Sequence, residues 1–173
     1  MCNNLFLINI SKRIAILLCS VNLLLGCVTT PAPQVIVPFD KKYRDIQLKA
    51  CVNRTEYSGS HDIAKEATHA LQTEIKDNNL FKIVDQADLI MTCDIEKFSE
   101  GSAIARWIMP GLGVTRADIS VIIWERASGN ILTVFKSQTE VSSGGFYTIG
   151  ADYYVIDVAV NSIVKQLREW IGN

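Results

Sequence analysis

From Asp45 onward the chain alternates. Ile46, Leu48, Ala50 and Val52 are apolar, with Gln47, Lys49 and Cys51 between them, which is the period of a strand with one face buried. Residues 53–60 break the pattern with polar side chains and Gly59. Ile63, Ala67, Ala70, Leu71 and Ile75 then recur at helical spacing, and Ser60 or Asp62 can cap the helix they predict. Asp77, Asn78 and Asn79 end it. A short strand is predicted over 80–84 and a longer one over 87–98. In the longer one Leu89, Met91, Cys93 and Ile95 share one face, while Thr92, Asp94 and Glu96 share the other.

Two further strands are predicted over 114–126 and 131–141, flanking the stretch ASGN. Its Ser-Gly-Asn suits a tight hairpin that needs positive φ. Loops containing glycine occupy 99–113 and 142–150. A last helix is predicted over 152–171, with Ile156, Ala159, Val160, Ile163, Leu167 and Trp170 as its apolar stripe. The order is β-α-β-β-β-β-α. Two amphipathic helices need a sheet to bury against, so the predicted class is α/β (α+β), a mixed sheet of about five strands with two helices.

The hairpin is apolar on both sides. A turn at Ser128 and Gly129 pairs Trp124 with Thr133 and Ile122 with Phe135, on a face shared with Ile131. Ile119, Val121, Ile123, Leu132 and Val134 take the opposite face. A sheet half exposed to water alternates with polar residues instead. Ile122, Trp124 and Phe135 are therefore expected either to lie under the C-terminal helix or to form a docking surface. Parity also sets Cys51, in phase with Gln47 and Lys49, on the face opposite Cys93. A bridge needs Cα atoms within about 7 Å and converging Cβ vectors, so no Cys51–Cys93 disulfide is expected.

The N-terminus follows a different rule. Lys12 and Arg13 precede an uncharged run from Ile14 to Leu25, too short for a bilayer span, which needs about 20 apolar residues. Basic residues before a short apolar run are the layout of a secretory signal peptide. Leu24-Leu25-Gly26-Cys27 resembles a bacterial lipobox. That resemblance implies a diacylglycerol on the Cys27 thiol, cleavage after Gly26, and acylation of the new amino terminus. Valine at position 28 resembles the outer-membrane sorting pattern. The expected organisation is a signal peptide over 1–26, a lipidated tether over 27–44 containing Pro31, Pro33 and Pro38, and one globular periplasmic domain over 45–173. Pro38 argues against the other reading of 35–39, an edge strand.

Cleavage after Gly26 leaves 147 of the 173 residues, about one domain. Lys12 and Arg13 leave with the leader, so the net charge falls from −1 to −3. No basic cluster suggests nucleic acid.

Catalytic candidates are sparse. His61 and His69 are the only histidines, and their spacing is wrong for the i, i+4 pair that holds one metal, so both are read as solvated and no metal is expected. Ser142 and Ser143 have no histidine in a triad-like context. Asp94 and Glu96 share a strand face and, with Arg106, outline an alternative: a small envelope hydrolase or ligand-binding domain. Gly111-Leu112-Gly113 precedes a strand, whereas a phosphate loop opens a helix. Asn53-Arg54-Thr55 matches a glycosylation acceptor but is discounted in a bacterial chain. No cofactor is expected.

The stretches DIEKFSEGS, ARWIMPGLG and ADISVIIWERASGNIL carry a resemblance. Gly101, Arg106, Pro110, Gly111, Gly113, Glu125 and Gly129 stand where lipoproteins with domain of unknown function 4410 have an Arg-containing turn ending in Pro-Gly-x-Gly and a strand ending in an acidic-x-x-x-Gly hairpin. The layout also resembles, without shared motifs, periplasmic domains of curli-secretion and penicillin-binding-protein-activator lipoproteins. The resemblance implies a localisation and a fold, and no activity. The expected role is a non-enzymatic, outer-membrane-anchored interaction module for an envelope protein. Its candidate interaction loop is Arg106, Trp107, Ile108, Met109, Pro110, Gly111 and Gly113.

Overall fold

A computed structural model describes residues 28–29, 31, 34–35, 37–59, 61–102, 113–141 and 151–172. Eight strands and two helices occur among them: β1 (Val28–Thr29), β2 (Gln34–Val35), β3 (Asp45–Leu48), β4 (Val52–Asn53), α1 (Ile63–Asp77), β5 (Lys82–Ile83), β6 (Leu89–Ser99), β7 (Thr115–Glu125), β8 (Ile131–Val141) and α2 (Ala151–Gly172). From Asp45 on, the order is the expected one, except that the first strand is split into β3 and β4.

The strands form one mixed sheet in the order β1-β8-β7-β6-β3-β5, with β2 also on β8 and β4 also on β6. β3 runs parallel to β5 and β6. β6, β7 and β8 form an antiparallel meander. Both helices lie on one face, α1 against β4 and β5 and α2 against β7 and β8, and they touch each other. Ile63, Ala67, Leu71 and Ile75 of α1 are buried, as is the whole predicted stripe of α2. Asp62 caps α1, its Oδ1 accepting from the Lys65 amide at 3.0 Å. Gln166 ties α2 to the sheet by donating from Nε2 to the Lys136 carbonyl at 2.9 Å.

Three bulges decide which side chains meet this core. Between Leu48↔Met91 and Val52↔Asp94, three residues of one strand face two of the other. An extra residue reverses the facing of everything beyond it. Cys51 therefore turns inward and is bridged to Cys93 with Cα atoms 4.5 Å apart, which corrects the expectation that the two are free. Val52 is turned outward, 41% exposed.

The second bulge lies at Leu132. The hairpin loop takes residues 126–130, closed by the Gly129 amide donating to the Glu125 carbonyl, with Gly129 at φ 70°. Trp124 pairs with Ile131, but Ile123 pairs with Thr133, Ile122 with Val134 and Val121 with Phe135. The expected pairings of Trp124 with Thr133 and of Ile122 with Phe135 are thus corrected. Phe135 faces the helices with Val121 and Ile123, all three fully buried. Glu96 forms the third bulge, in β6.

The segment expected as a free tether is partly docked. Val28 and Thr29 pair with Thr139 and Gln138, and Gln34 and Val35 with Val134 and Thr133. The Val37 amide donates to the Leu132 carbonyl at 2.9 Å, and Trp170 Nε1 donates to the Val37 carbonyl at 3.0 Å. Phe39 packs edge-on to Trp170 and Phe81 at 4.9 and 5.9 Å. These contacts give apolar and backbone partners to a stretch that would otherwise leave β8 as an open edge.

Candidate functional site

Of the residues singled out from sequence, Gly26, Cys27, Arg106, Trp107, Ile108, Met109, Pro110 and Gly111 lie outside the described residues. Gly113 is described, with φ 68°, a backbone that suits glycine. β6 ends at Ser99 and β7 begins at Thr115, and the Gly101 amide donates to Thr115 Oγ1 at 3.0 Å, tying the two strand ends together.

The hairpin candidates separate. Strand alternation sends Ile122 and Trp124 to the face away from both helices, and Phe135 to the core. Ile122, Trp124, Ile90 and Val134 are half-buried on that outer face. Trp124 Nε1 donates to Thr92 Oγ1 at 3.2 Å, so the indole has a polar partner as well as apolar neighbours.

Further along the same face, toward Ser99 and Val141, the surface becomes charged. Arg54 meets Asp94 at 3.0 Å, Lys136 meets Glu96 at 3.6 Å, Lys97 meets Asp118 at 3.6 Å and Arg116 meets Glu140 at 2.8 Å. A cleft of about 630 Å³ is lined by Arg54, Glu96, Lys97, Arg116, Asp118 and Glu140, among others. The pairs are solvent-screened, each contributing about 1 kcal/mol or less. Asp94 and Glu96 are thus on one face, as expected, but each is matched to a different cation. His61 Nδ1 lies 3.9 Å from Glu66 Oε1, and His69 is exposed. No group of three potential metal ligands occurs among the described residues.

A second cleft, about 580 Å³, opens at the other end of the sheet between Lys42, Tyr43, Arg44, Asp45, Asp88 and Arg126. Arg126 Nε donates to the Ala87 carbonyl at 2.6 Å and its guanidinium also reaches Gln47. The Tyr43 hydroxyl donates to the Glu125 carboxylate. That bond, seconded by Ser128, holds the Glu125 carboxyl below its ordinary range, and the same carboxylate pushes the Tyr43 hydroxyl above its own. Sequence reading missed this pair because its members are 82 residues apart: Glu125 figured only as the acidic position of the hairpin motif, and Tyr43 in no pattern.

No helix among the described residues is long and apolar enough to cross a membrane.

No protein-family model matches the chain, so the resemblance to domain of unknown function 4410 has no support from that side. No curated protein matches it either. Solved structures do. The PelC dodecamer from Paraburkholderia phytofirmans superposes with a TM-score of 0.55 at 11% identity, covering 83% of this chain and 97% of that one. Protein XCC0632 from Xanthomonas campestris, of family DUF330, gives 0.50 at 12% identity, covering 80% and 91%. Lipoprotein GNA1162 from Neisseria meningitidis is looser, at 0.46 and 6% identity over 73% and 99%. At such identities the first two likenesses establish a shared α+β fold and leave activity open.

Proposed function

We propose that this chain is a non-enzymatic envelope lipoprotein, held in the outer membrane by acyl chains on Cys27, whose domain is an interaction module for another envelope protein. The observation that carries the anchor is the order Lys12-Arg13, uncharged run, Leu24-Leu25-Gly26-Cys27. One acyl chain binds reversibly and two or more bind firmly, at about 0.8 kcal/mol per buried methylene. The buried Cys51–Cys93 bridge supports an oxidising compartment. The resemblance to domain 4410 lipoproteins points the same way.

The interaction role is supported by the outer sheet face, where Ile122 and Trp124 stand away from both helices. The runner-up, a hydrolase or ligand-binding domain built on Asp94, Glu96 and Arg106, is disfavoured by the separate ion pairs that occupy Asp94 and Glu96. The test is a photo-crosslinking residue in place of Trp124 in native membranes, beside the same probe at exposed Lys165. A discrete adduct from position 124 alone is expected. Adducts absent from 124, or alike at both positions, would remove the docking role.

A further inference from the structure

β6, β7 and β8 run the length of the domain and give the sheet two distinct ends. One carries the hairpin tip, Ser128 and Gly129, just beyond the Leu89↔Glu125 pair. The other carries Ser99, Thr115 and Val141, the last or first residues of their strands. An eleven-residue strand such as β7 is about 33 Å long at roughly 3.3 Å per residue, so the ends are far apart compared with the thickness of a headgroup layer.

The register of β1 selects between them. Val28 is opposite Thr139 and Thr29 opposite Gln138, antiparallel to β8. Moving back along β1 is therefore moving toward Val141. Cys27 is one peptide from Val28, about 3.8 Å between Cα atoms. A lipid on its sulfur has no slack with which to hold the domain away from the bilayer.

We infer that the domain stands directly on the membrane, with the Ser99, Arg116 and Glu140 end of the sheet against the lipid headgroups and the hairpin tip pointing away. This rests on acylation of Cys27 and goes beyond it, because a lipidated chain with a free tether would have no fixed orientation. Among the described residues at this end, the Arg116–Glu140 pair and exposed Ser99 and Lys97 are polar or charged, groups that suit the headgroup layer. The outer face bearing Trp124 then stands upright and open to the periplasm.

The experiment uses the full lipidated chain in vesicles of phosphatidylethanolamine and phosphatidylglycerol carrying a nitroxide-headgroup lipid. A fluorophore is attached through Ser99→Cys or, separately, Ser128→Cys, both exposed positions. Quenching at 99 several-fold stronger than at 128 is expected. A flexible ten-residue insertion between Cys27 and Val28 should abolish that difference while leaving the protein floating with the vesicles. Flotation with equal quenching at both positions, or stronger quenching at 128, overturns the orientation and leaves the anchor standing. Protein that does not float, with unmodified Cys27 by mass spectrometry, overturns the anchor and the orientation with it.

Discussion

Replacing both bridged cysteines, Cys51→Ala with Cys93→Ala, should destabilise the domain by about 4 kcal/mol. The sequence separation is 42 residues, and the chain-entropy estimate for releasing a loop of that length at 25 °C is about 4 kcal/mol. For a domain of this size 1 kcal/mol moves the melting temperature by about 3 °C, so the drop should be about 12 °C. In urea, with a slope of roughly 2 kcal/mol per molar, the midpoint should fall by about 2 M. The assay is thermal and urea unfolding of residues 28–173 purified from the periplasm, with and without reductant. Wild type under reductant and the double variant should unfold alike, because both lack the cross-link, and reductant should not affect the variant. Two titratable thiols in unreduced, denatured wild type would refute the reasoning at its root. So would a double variant melting within about 2 °C of oxidised wild type.

Phe135→Ala removes a ring that is fully buried against Trp170 at 6.1 Å and should cost about 3–5 kcal/mol. Trp124→Ser, on the outer face, should cost about 2 kcal/mol or less. Urea unfolding of the two variants ranks them, and the reverse ranking would overturn the register with the bulge at Leu132. Tyr43→Phe should raise the Glu125 titration midpoint toward 4.5, because the variant loses the hydrogen bond that lowers it. In the wild type the stability from this contact is fully present above the unfolded carboxyl value and is lost as pH falls through the lower folded one. Carboxyl chemical shifts followed through the acid range check the first point, and an unmoved midpoint would contradict it.

Element identity was legible in the sequence because it follows local period. Helix α1 begins one residue after the predicted Asp62 cap, and β8 has the predicted ends. Facing was legible only up to the first bulge. The same parity rule that correctly buried Ile46 and Leu89 placed Cys51 and Phe135 on the wrong side, since one added residue near Lys49 and one at Leu132 invert the count. Nothing in the local composition marks either insertion. A cross-strand pairing decides it, and pairing is a property of two distant segments. The docking of residues 34–43 was hidden for a similar reason: three prolines speak for extended chain, but only the free edge of β8 and the ring of Trp170 explain where that chain lies. Among the hairpin residues, Ile122 and Trp124 share the outer face as expected, and Phe135 was wrongly joined to them.

Anchoring turns on Cys27, and the most direct measurement is mass spectrometry of the N-terminal peptide of the protein extracted from its own membranes. The prediction is a mature chain that begins at Cys27, carrying a diacylglyceryl thioether on its sulfur and a third acyl group on its amino nitrogen. A chain that begins elsewhere, or a Cys27 with a free thiol in the membrane-extracted protein, would contradict it.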